Sequence, residues 1–296
     1  MSNCDTCDSN PETCGANQHS CGDQHGGSAQ DEQAQLQQNL AIRLQGIKHK
    51  LVVMSGKGGV GKSTTALNLA LALVQQGKKV GLLDIDLHGP SVPKMVGLEE
   101  QRPGMCEEGI IPLEIEGLKL MSIGFLLEST NSAMIMRGPM KHGAIMQLLA
   151  DVVWGELDYL LIDCPPGTGD EPLSAVQLLG PGTKAVVVTT PQDVALVDVE
   201  KSLSFCREVN LPVAGLIENM SGFICPHCGE QSDIFKAGGG DRLAAKTGVS
   251  LLAKVPLDPQ MVEAGDAGKP HVLSCPDSSC SKALHAAAKA IVTLNG

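Results

Sequence analysis

The chain has 296 residues, enough to bury the core of one large α/β domain or of two smaller ones. It carries 22 Lys and Arg against 33 Asp and Glu, and the net charge of −11 argues against a protein whose main task is to bind nucleic-acid phosphates. No apolar run reaches the length of a membrane span and no signal peptide is recognisable, so we expect a cytoplasmic protein without a membrane partner. Eleven cysteines in such a protein indicate metal or redox chemistry, not disulfides.

Residues 1–30 form a cysteine-rich tail that has almost no large apolar side chain. Such a segment buries too little surface to order itself, so it is either disordered or organised by a metal. The ligands of one complete site are available in a C-x2-C-x6-C-x6-C pattern formed by Cys4, Cys7, Cys14 and Cys21. We predict an iron–sulfur cluster or Zn²⁺ there, with metal-free thiols as the alternative.

A short helix or linker over residues 31–48, with Leu36, Leu40 and Ile47 on one side, precedes an aliphatic pattern. Short apolar strands are then predicted at 51–54, 80–84, 159–162, 185–189 and 213–217, with a helix over 62–76. Strands that alternate with helices are typical of βαβ units, and hence of an α/β fold with a mostly parallel sheet and helices on both faces. Residues 97–117, rich in Gly, Pro and Glu, interrupt the pattern as an irregular excursion with room for a hairpin.

A phosphate-binding loop directly follows the first strand and opens the first helix of this pattern. The motif G-x-x-x-x-G-K-[ST] is formed by Gly56, Lys57, Gly58, Gly59, Val60, Gly61, Lys62, Ser63 and Thr64. Its glycines let backbone N–H groups point at phosphate oxygens, and the helix N-terminus adds partial positive charge. We predict that Lys62 reaches the β- and γ-phosphates of ATP and that Ser63 ligates Mg²⁺.

Two later strands end in carboxylates at the sheet edge where open α/β folds bind ligands. The strand over 159–162 leads into Asp163, which we predict to hold Mg²⁺ directly or through water, as in a Walker B motif. Asp84 ends the second strand and Asp86 follows it, and Asp84 is expected to be structural. Residues 165–171 are predicted to be a switch loop that senses the γ-phosphate.

A Cys-x-x-Cys pair, Cys225 and Cys228, lies just after the strand over 213–217. Two thiolates at this spacing are half of a tetrahedral metal site, and a two-fold symmetric dimer supplies the other half. A shared iron–sulfur cluster and a shared zinc ion both satisfy this ligand count, whereas nothing nearby suggests a thioredoxin-like redox pair. Cys275 and Cys280 form a more widely spaced pair that is a further candidate for a metal site.

The sequence resembles the Mrp/Nbp (ApbC-like) iron–sulfur cluster carrier ATPases through the segments KGGVGKST, DIDLHGPS, DCPPGTGDE, ENMSGFICPHCG and VPLDP. These belong to the deviant Walker A class of MinD, ParA and nitrogenase iron protein. The resemblance implies one P-loop ATPase domain over residues 49–296 that contains the Cys-x-x-Cys site. It also implies a homodimer that bridges a labile [4Fe–4S] cluster on Cys225 and Cys228 of each subunit and transfers it to apo-proteins, with ATP and Mg²⁺ as cofactors.

The same resemblance assigns roles to four further positions. Lys57, the second lysine of the loop, would reach across the dimer interface to the nucleotide of the partner. Asp86 would orient or activate the attacking water. Asn219 would hydrogen-bond the adenine, and Asp258 would lie in the loop that covers the base from the other side. Long-form members carry four N-terminal cysteines at a different spacing, so no ligand set is carried over to the tail.

Two functions from other classes stay open. One is a MinD- or ParA-like positioning ATPase. The acidic charge disfavours it, as does the C-terminal stretch over 281–296, which has only two lysines and no bulky aromatic side chain to anchor it in a membrane. The other is a reductase that drives electrons through its cluster by ATP hydrolysis, as nitrogenase iron protein does. That design uses single, widely separated cysteines in each subunit, in place of a close Cys-x-x-Cys pair.

Overall fold

The computed structural model describes residues 29–87, 89–126, 138–225 and 227–295. The four tail cysteines lie outside these residues, and their metal site stays a prediction. In the described part of the chain, no helix combines the length and the apolar character needed to cross a membrane. The core is aliphatic as expected, with Trp154 and Phe125 among its largest fully buried side chains.

The strands are, in chain order, β1 (Ile47–Ser55), β2 (Val80–Asp84), β3 (Gly104–Cys106), β4 (Gly109–Ile111), β5 (Leu113–Ile115), β6 (Leu118–Ser122), β7 (Leu157–Asp163), β8 (Thr183–Thr189), β9 (Val213–Glu218), β10 (Phe223–Ile224), β11 (Gln231–Ser232) and β12 (Leu251–Lys254). The helices are α1 (Ala29–Gln45), α2 (Lys62–Gln75), α3 (Val92–Met95), α4 (Gly138–Ala150), α5 (Asp170–Leu179), α6 (Asp193–Glu208), α7 (Gly239–Thr247), α8 (Pro259–Asp266), α9 (His271–Ser274) and α10 (Ser279–Asn295).

Eight of these strands form the central sheet, in the order β12-β9-β8-β1-β7-β2-β6-β5. Its pairings are parallel except for that of β5 with β6. The connection from β1 to β2 moves across the sheet in one direction, and those from β7 to β8 and from β8 to β9 move in the other. Right-handed crossovers therefore place α2 on one face and α5 and α6 on the opposite face. The reversal beside β1 creates the crevice at which such sheets bind ligands.

The carboxyl ends of the central strands meet at one edge. Asp163, at the end of β7, pairs with Val53 of β1 on one side and with Asp84 of β2 on the other. The phosphate-binding loop leaves β1 at this same edge. Three segments that are far apart in the sequence are thus brought together by the sheet register alone.

The start of β1 differs from the prediction. The strand begins at Ile47, four residues before the predicted position, and so crosses the proposed domain boundary at residue 49. Ile47 pairs with Leu157 of β7 and does not extend the preceding helix. The sequence hides this extension because Lys48, His49 and Lys50 interrupt the apolar run, while Lys48 gains an ion pair with Asp158 at 2.8 Å.

Residues 97–117 contain the hairpin for which the sequence left room. β3 and β4 pair antiparallel, and Arg43 of α1 donates a hydrogen bond to the carbonyl of Glu108 in the turn between them. β5 then adds to the edge of the central sheet through its antiparallel pairing with β6. The excursion is therefore anchored to the domain at both ends.

Candidate functional site

The phosphate-binding loop joins β1 to α2 at the centre of the sheet. Its glycines are required by crowding as well as by backbone conformation. A Cβ on Gly56 would lie 2.3 Å from the backbone carbonyl carbon of Asp198, and a Cβ on Gly61 would lie 2.2 Å from Nδ2 of Asn219. Gly61 also has a φ of +78°, in the left-handed region that favours glycine. Side chains at these two positions would force the loop open.

Lys62, Ser63 and Asp163 come together where α2 begins. Nζ of Lys62 lies 2.5 Å from Oδ1 of Asp163 and 3.1 Å from Oγ of Ser63. Asp163 is fully buried, and its Oδ2 has no hydrogen-bond partner among the described residues. Burial raises the pKa of Asp163, and the neighbouring Lys62 ammonium group opposes that rise. An unsatisfied carboxylate oxygen near a serine hydroxyl fits Mg²⁺ or one of its water ligands.

Asp84 is held entirely by the protein. Its Oδ1 accepts a hydrogen bond from the backbone N–H of Asp86 at 3.0 Å, and its Oδ2 accepts one from Oγ of Ser122 at 2.9 Å. Burial, and then the nearby Asp163 carboxylate, raise the pKa of Asp84 to about 7. These contacts agree with a structural role, in which Asp84 fixes the backbone that carries Asp86.

The nucleotide cleft, as we call it, is a cavity of about 270 Å³ over the phosphate-binding loop. Asp86 lines it together with Lys62, Ser63 and Pro166 of the predicted switch loop. Lys57 stands at its rim, where Nζ donates to Oε1 of Gln192 at 3.4 Å, just before α6. The structure thus brings the predicted phosphate, magnesium and water-activating residues to one cleft.

The base cavity, as we call it, lies next to this cleft and has a volume of about 290 Å³. It is lined by Gly61, Thr64, Asn219, Met220, Pro256, Leu257 and Asp258, and by side chains from α3 and α8. Nδ2 of Asn219 donates to the carbonyl of Val60 at 2.9 Å, so this side chain also holds the phosphate-binding loop against β9. Asp258 caps α8, because its Oδ1 accepts from the N–H of Gln260 at 2.9 Å. Both predicted base-binding residues therefore reach one largely apolar cavity.

Two buried acids make contacts that the sequence did not predict. Glu218, at the end of β9, accepts hydrogen bonds from Oγ of Ser221 and from the N–H of Gly240. Glu171, in the predicted switch loop, forms a buried ion pair with Lys141 of α4 at 2.6 Å. A charged residue that ends an apolar strand was a usable signal for Glu218. No sequence signal predicted the ion pair of Glu171 with Lys141, because these two residues are 30 positions apart and belong to different elements.

The thiol turn, as we call residues 223–232, carries Cys225 and Cys228. It is a small hairpin of β10 and β11, closed by hydrogen bonds from the N–H of Cys225 to the carbonyl of Glu230 and from the N–H of Gly229 to the carbonyl of Cys225. Backbone N–H groups of Cys228 and His227 lower the pKa of Cys225. Cys225 is half-buried and Cys228 is exposed. The turn therefore presents a pair of accessible sulfurs, one of them favoured as thiolate.

Backbone hydrogen bonds connect the segment that leads into the thiol turn to the base cavity. The N–H of Leu257 donates to the carbonyl of Gly222 at 2.8 Å, and the N–H of Ser221 donates to the carbonyl of Val255 at 2.9 Å. Phe223 and Leu257 form an isolated parallel β-bridge. The segment that lines the cavity is thus continuous with the segment that carries the thiols.

Two other cysteines are core residues. Cys164 and Cys206 are fully buried, and burial raises the pKa of both thiols, to about 11 for Cys206. Such thiols are neutral at physiological pH and act as small apolar side chains. They add nothing to the metal chemistry expected at the thiol turn.

A phosphate-binding loop, a buried Walker B aspartate and a mostly parallel sheet define this protein as a P-loop NTPase, and hence as a member of a class of nucleotide hydrolases. The family model described as "ParA: NUBPL iron-transfer P-loop NTPase" matches residues 46–292. The chain belongs to this family. The fold class and the ATPase assignment expected from the sequence are confirmed.

Several proteins that have been described are similar in sequence to most of this chain. An iron-sulfur cluster carrier protein of Methanocaldococcus jannaschii is 52% identical over 240 residues, which cover 80% of this chain and 83% of that protein. The cytosolic Fe-S cluster assembly factor NUBP2 of Rattus norvegicus is 49% identical over 246 residues, 81% of this chain and 91% of that protein. A nucleotide-binding protein of Archaeoglobus fulgidus, solved in complex with ADP and with Co found, is 41% identical with a TM-score of 0.70, covering 79% of this chain and 91% of that one.

Proposed function

We propose that this chain is an ATP-hydrolysing carrier or scaffold that assembles [4Fe–4S] clusters or transfers them to apo iron–sulfur proteins in the cytoplasm. The observation that carries the proposal is the thiol turn, whose two accessible cysteines follow a short segment, Ser221 and Gly222, that is hydrogen-bonded through the backbone to the wall of the base cavity. Relatives named as an iron-sulfur cluster carrier and as a cytosolic Fe-S cluster assembly factor support it.

The cluster is the cargo of this protein. Each chain offers it two thiolates, whereas a [4Fe–4S] cluster takes four. We infer a homodimer in which Cys225 and Cys228 of both subunits hold one bridging cluster, because a two-fold axis sets identical turns face to face. The exposure of Cys228 suits this role, since an acceptor protein must reach the cluster to receive it.

ATP hydrolysis is assigned to the nucleotide cleft. Lys62 binds the β- and γ-phosphates, and Asp86 orients the attacking water. Ser63 and Asp163 would hold Mg²⁺, which would supply positive charge beside the transferred phosphoryl group. Lys62 is well positioned for this task, because the pairing with Asp163 fixes its ammonium group at the start of α2.

The second lysine of the loop links nucleotide binding to the dimer. Lys57 stands at the rim of the cleft, where it would contact the nucleotide of a facing subunit. Two subunits with ATP bound are then drawn together, and hydrolysis relaxes their interface. Because backbone hydrogen bonds join the base cavity to the thiol turn, the same change alters how firmly the cysteine pairs hold the cluster.

Anaerobic reconstitution of the full chain tests this function. Iron, acid-labile sulfide and zinc are measured per chain for the wild type and for Cys225→Ala/Cys228→Ala. The double variant is expected to lose half a cluster's iron and sulfide per chain, because the bridging site is shared by two subunits. Cys106→Ala, which removes another exposed cysteine, serves as the matched control and is expected to keep the wild-type content.

Three outcomes would contradict the proposal. Equal iron in the wild type and the double variant would remove the thiol turn as the cluster site. Zinc in place of iron and sulfide would leave a P-loop hydrolase with a structural metal. A monomer in sedimentation velocity, with both ATP and cluster present, would exclude the bridging arrangement.

A further inference from the structure

Three helix starts converge on a second group of metal-binding side chains. Asp258 caps α8, His271 is the first residue of α9, and Cys280 lies in the first turn of α10. Each offers one ligand atom, and these three atoms all lie within 4.8 Å of one another. The spacing along the sequence predicts a pair of Cys275 and Cys280, but Cys280 is grouped in the structure with Asp258 and His271.

The surroundings of these side chains are those of a protected site. His271 and Cys280 are buried, with 1% of each residue exposed. Nε2 of His271 lies 3.7 Å from Oδ2 of Asp258 and 2.8 Å from Oγ of Ser278. The other ring nitrogen, Nδ1, is buried without a hydrogen-bond partner among the described residues. A histidine buried in this way is costly unless another interaction compensates for it.

The same group lacks the features of a catalytic cysteine. Burial, and then the Asp258 carboxylate, raise the pKa of Cys280 to about 12, so the thiol is neutral at physiological pH. A nucleophilic cysteine needs the opposite shift. The thiol donates to the carbonyl of Pro256 at 3.3 Å and is also hydrogen-bonded to the Asp258 carboxylate.

We propose that Asp258, His271 and Cys280 bind a divalent transition metal of the zinc type. A thiolate, an imidazole and a carboxylate are three ligands that Zn²⁺ and Co²⁺ accept in tetrahedral geometry. Binding replaces the thiol proton of Cys280, which leaves to solvent, and no electron is exchanged. A cavity of about 420 Å³, lined by Asp258, Ser278 and Cys280, gives water access to the fourth position.

Such a metal would join the base cavity to the C-terminal helices. Asp258 lines both cavities, and α9 is tied to the phosphate-binding helix α2 because Oδ1 of Asn68 accepts from the N–H of Val272 at 2.9 Å. The site is separate from the thiol turn and shares no ligand with it. A negative result for this metal site would therefore leave the proposed carrier function intact.

Cobalt titration of the full chain tests the site. The parent protein carries Ala at Cys225, Cys228 and the four tail cysteines, so that other candidate thiol sites are removed. One Co²⁺ per chain is expected, with thiolate-to-cobalt charge-transfer absorption and the visible bands of a tetrahedral ion. Cys280→Ser is expected to abolish the charge-transfer band. Asp258→Asn, which keeps the helix cap, is expected to weaken Co²⁺ binding at least about tenfold.

Cys275→Ala is the matched control, because it removes the neighbouring cysteine of the same segment and leaves all three ligands. It is expected to keep the spectrum and the affinity of the parent. Added Zn²⁺ should displace Co²⁺ and raise the Tm of the parent, but leave that of Cys280→Ser unchanged. The proposal is overturned if the parent shows no charge-transfer band, if Cys280→Ser retains it, or if Cys275→Ala loses it. Should Cys280→Ser not fold, undiminished Co²⁺ affinity in Asp258→Asn overturns it equally.

Discussion

The nucleotide cleft and the thiol turn both follow central strands of one sheet, but they are built in opposite ways. The cleft is lined by Lys62, and the buried carboxylates of Asp84 and Asp163 lie behind it, fixed by their neighbours on several sides. The thiol turn rests on a hairpin with two residues in each strand, and Cys228 is exposed. Catalysis requires groups that are held in place before the substrate arrives, whereas a carrier must be able to release its cargo. Rigidity is thus concentrated where the phosphates bind.

Lys62→Ala should have the largest effect. We expect kcat for ATP hydrolysis to fall at least about 100-fold, because loss of one donor aimed at a developing negative charge has costs of this order. A phosphate-release assay measures it, and Lys201→Ala, which removes an exposed lysine of α6, should retain wild-type activity. Cluster transfer to an apo-acceptor should fall in parallel. Unchanged transfer without ATPase activity would show that the two regions are not coupled.

Two glycines allow the same substitution in both regions. Gly61 and Gly229 have similar φ angles, +78° and +71°. Among the described residues, a Cβ meets Asn219 at the first position and nothing within 4 Å at the second. Gly229→Ala should cost only the left-handed strain, about 1–2 kcal/mol, and Gly61→Ala about 1–3 kcal/mol more from overpacking. Urea unfolding of the two variants measures the difference. Equal losses of stability in the two variants would mean that the phosphate-binding loop accommodates an added Cβ as easily as the thiol turn does.

The buried carboxylates are expected to make the free energy of unfolding depend on pH, and this effect is smaller than those of the substitutions above. The pKa of Asp84 is raised to about 7, whereas in the unfolded chain it is near its ordinary value of about 3.9. The folded state therefore holds the proton more tightly, and this contribution makes the free energy of unfolding decrease as pH rises from about 4 to 7.

Asp84→Asn should flatten that part of the pH profile, so its stability relative to the wild type should rise toward pH 7. Asp158→Asn provides a contrast, because a hydrogen bond from Lys48 lowers the pKa of Asp158 and its stabilising contribution is lost as pH falls. Denaturant midpoints across this pH range measure both variants. Parallel profiles for Asp84→Asn and the wild type would contradict the assignment of the raised pKa to Asp84.

Much of the fold could be predicted from local sequence because its central strands are buried on both sides. All five predicted strands lie in the sheet, and α2 begins at the predicted Lys62. The shorter strands β6 and β12 were missed, and β12 is only partly buried at the sheet edge, where apolar runs are weaker. The start of β1 was misplaced for a related reason, since polar side chains are tolerated where the strand leaves the core.

Part of the candidate site could likewise be predicted from local sequence, and part could not. The phosphate-binding loop is contiguous, and its motif therefore specifies both geometry and chemistry. Asp163 and Asp86 could be placed beside it because strand ends share an edge. The ion pair of Lys141 with Glu171 and the grouping of Cys280 with His271 depend on how distant helices pack. Spacing along the chain carries no information on such contacts, and for Cys280 it suggested a different partner.

The β-bridge between Phe223 and Leu257 also affects which amino-acid substitutions this protein can accept during evolution. The contact is made by main-chain groups, in which the N–H of Leu257 donates to the carbonyl of Gly222. Almost any amino acid supplies those groups, so the surrounding side chains are free to drift without breaking the connection. Proline at position 257 is the exception, since it has no N–H to donate. The link between cavity and thiols is thus protected by its independence from side-chain identity.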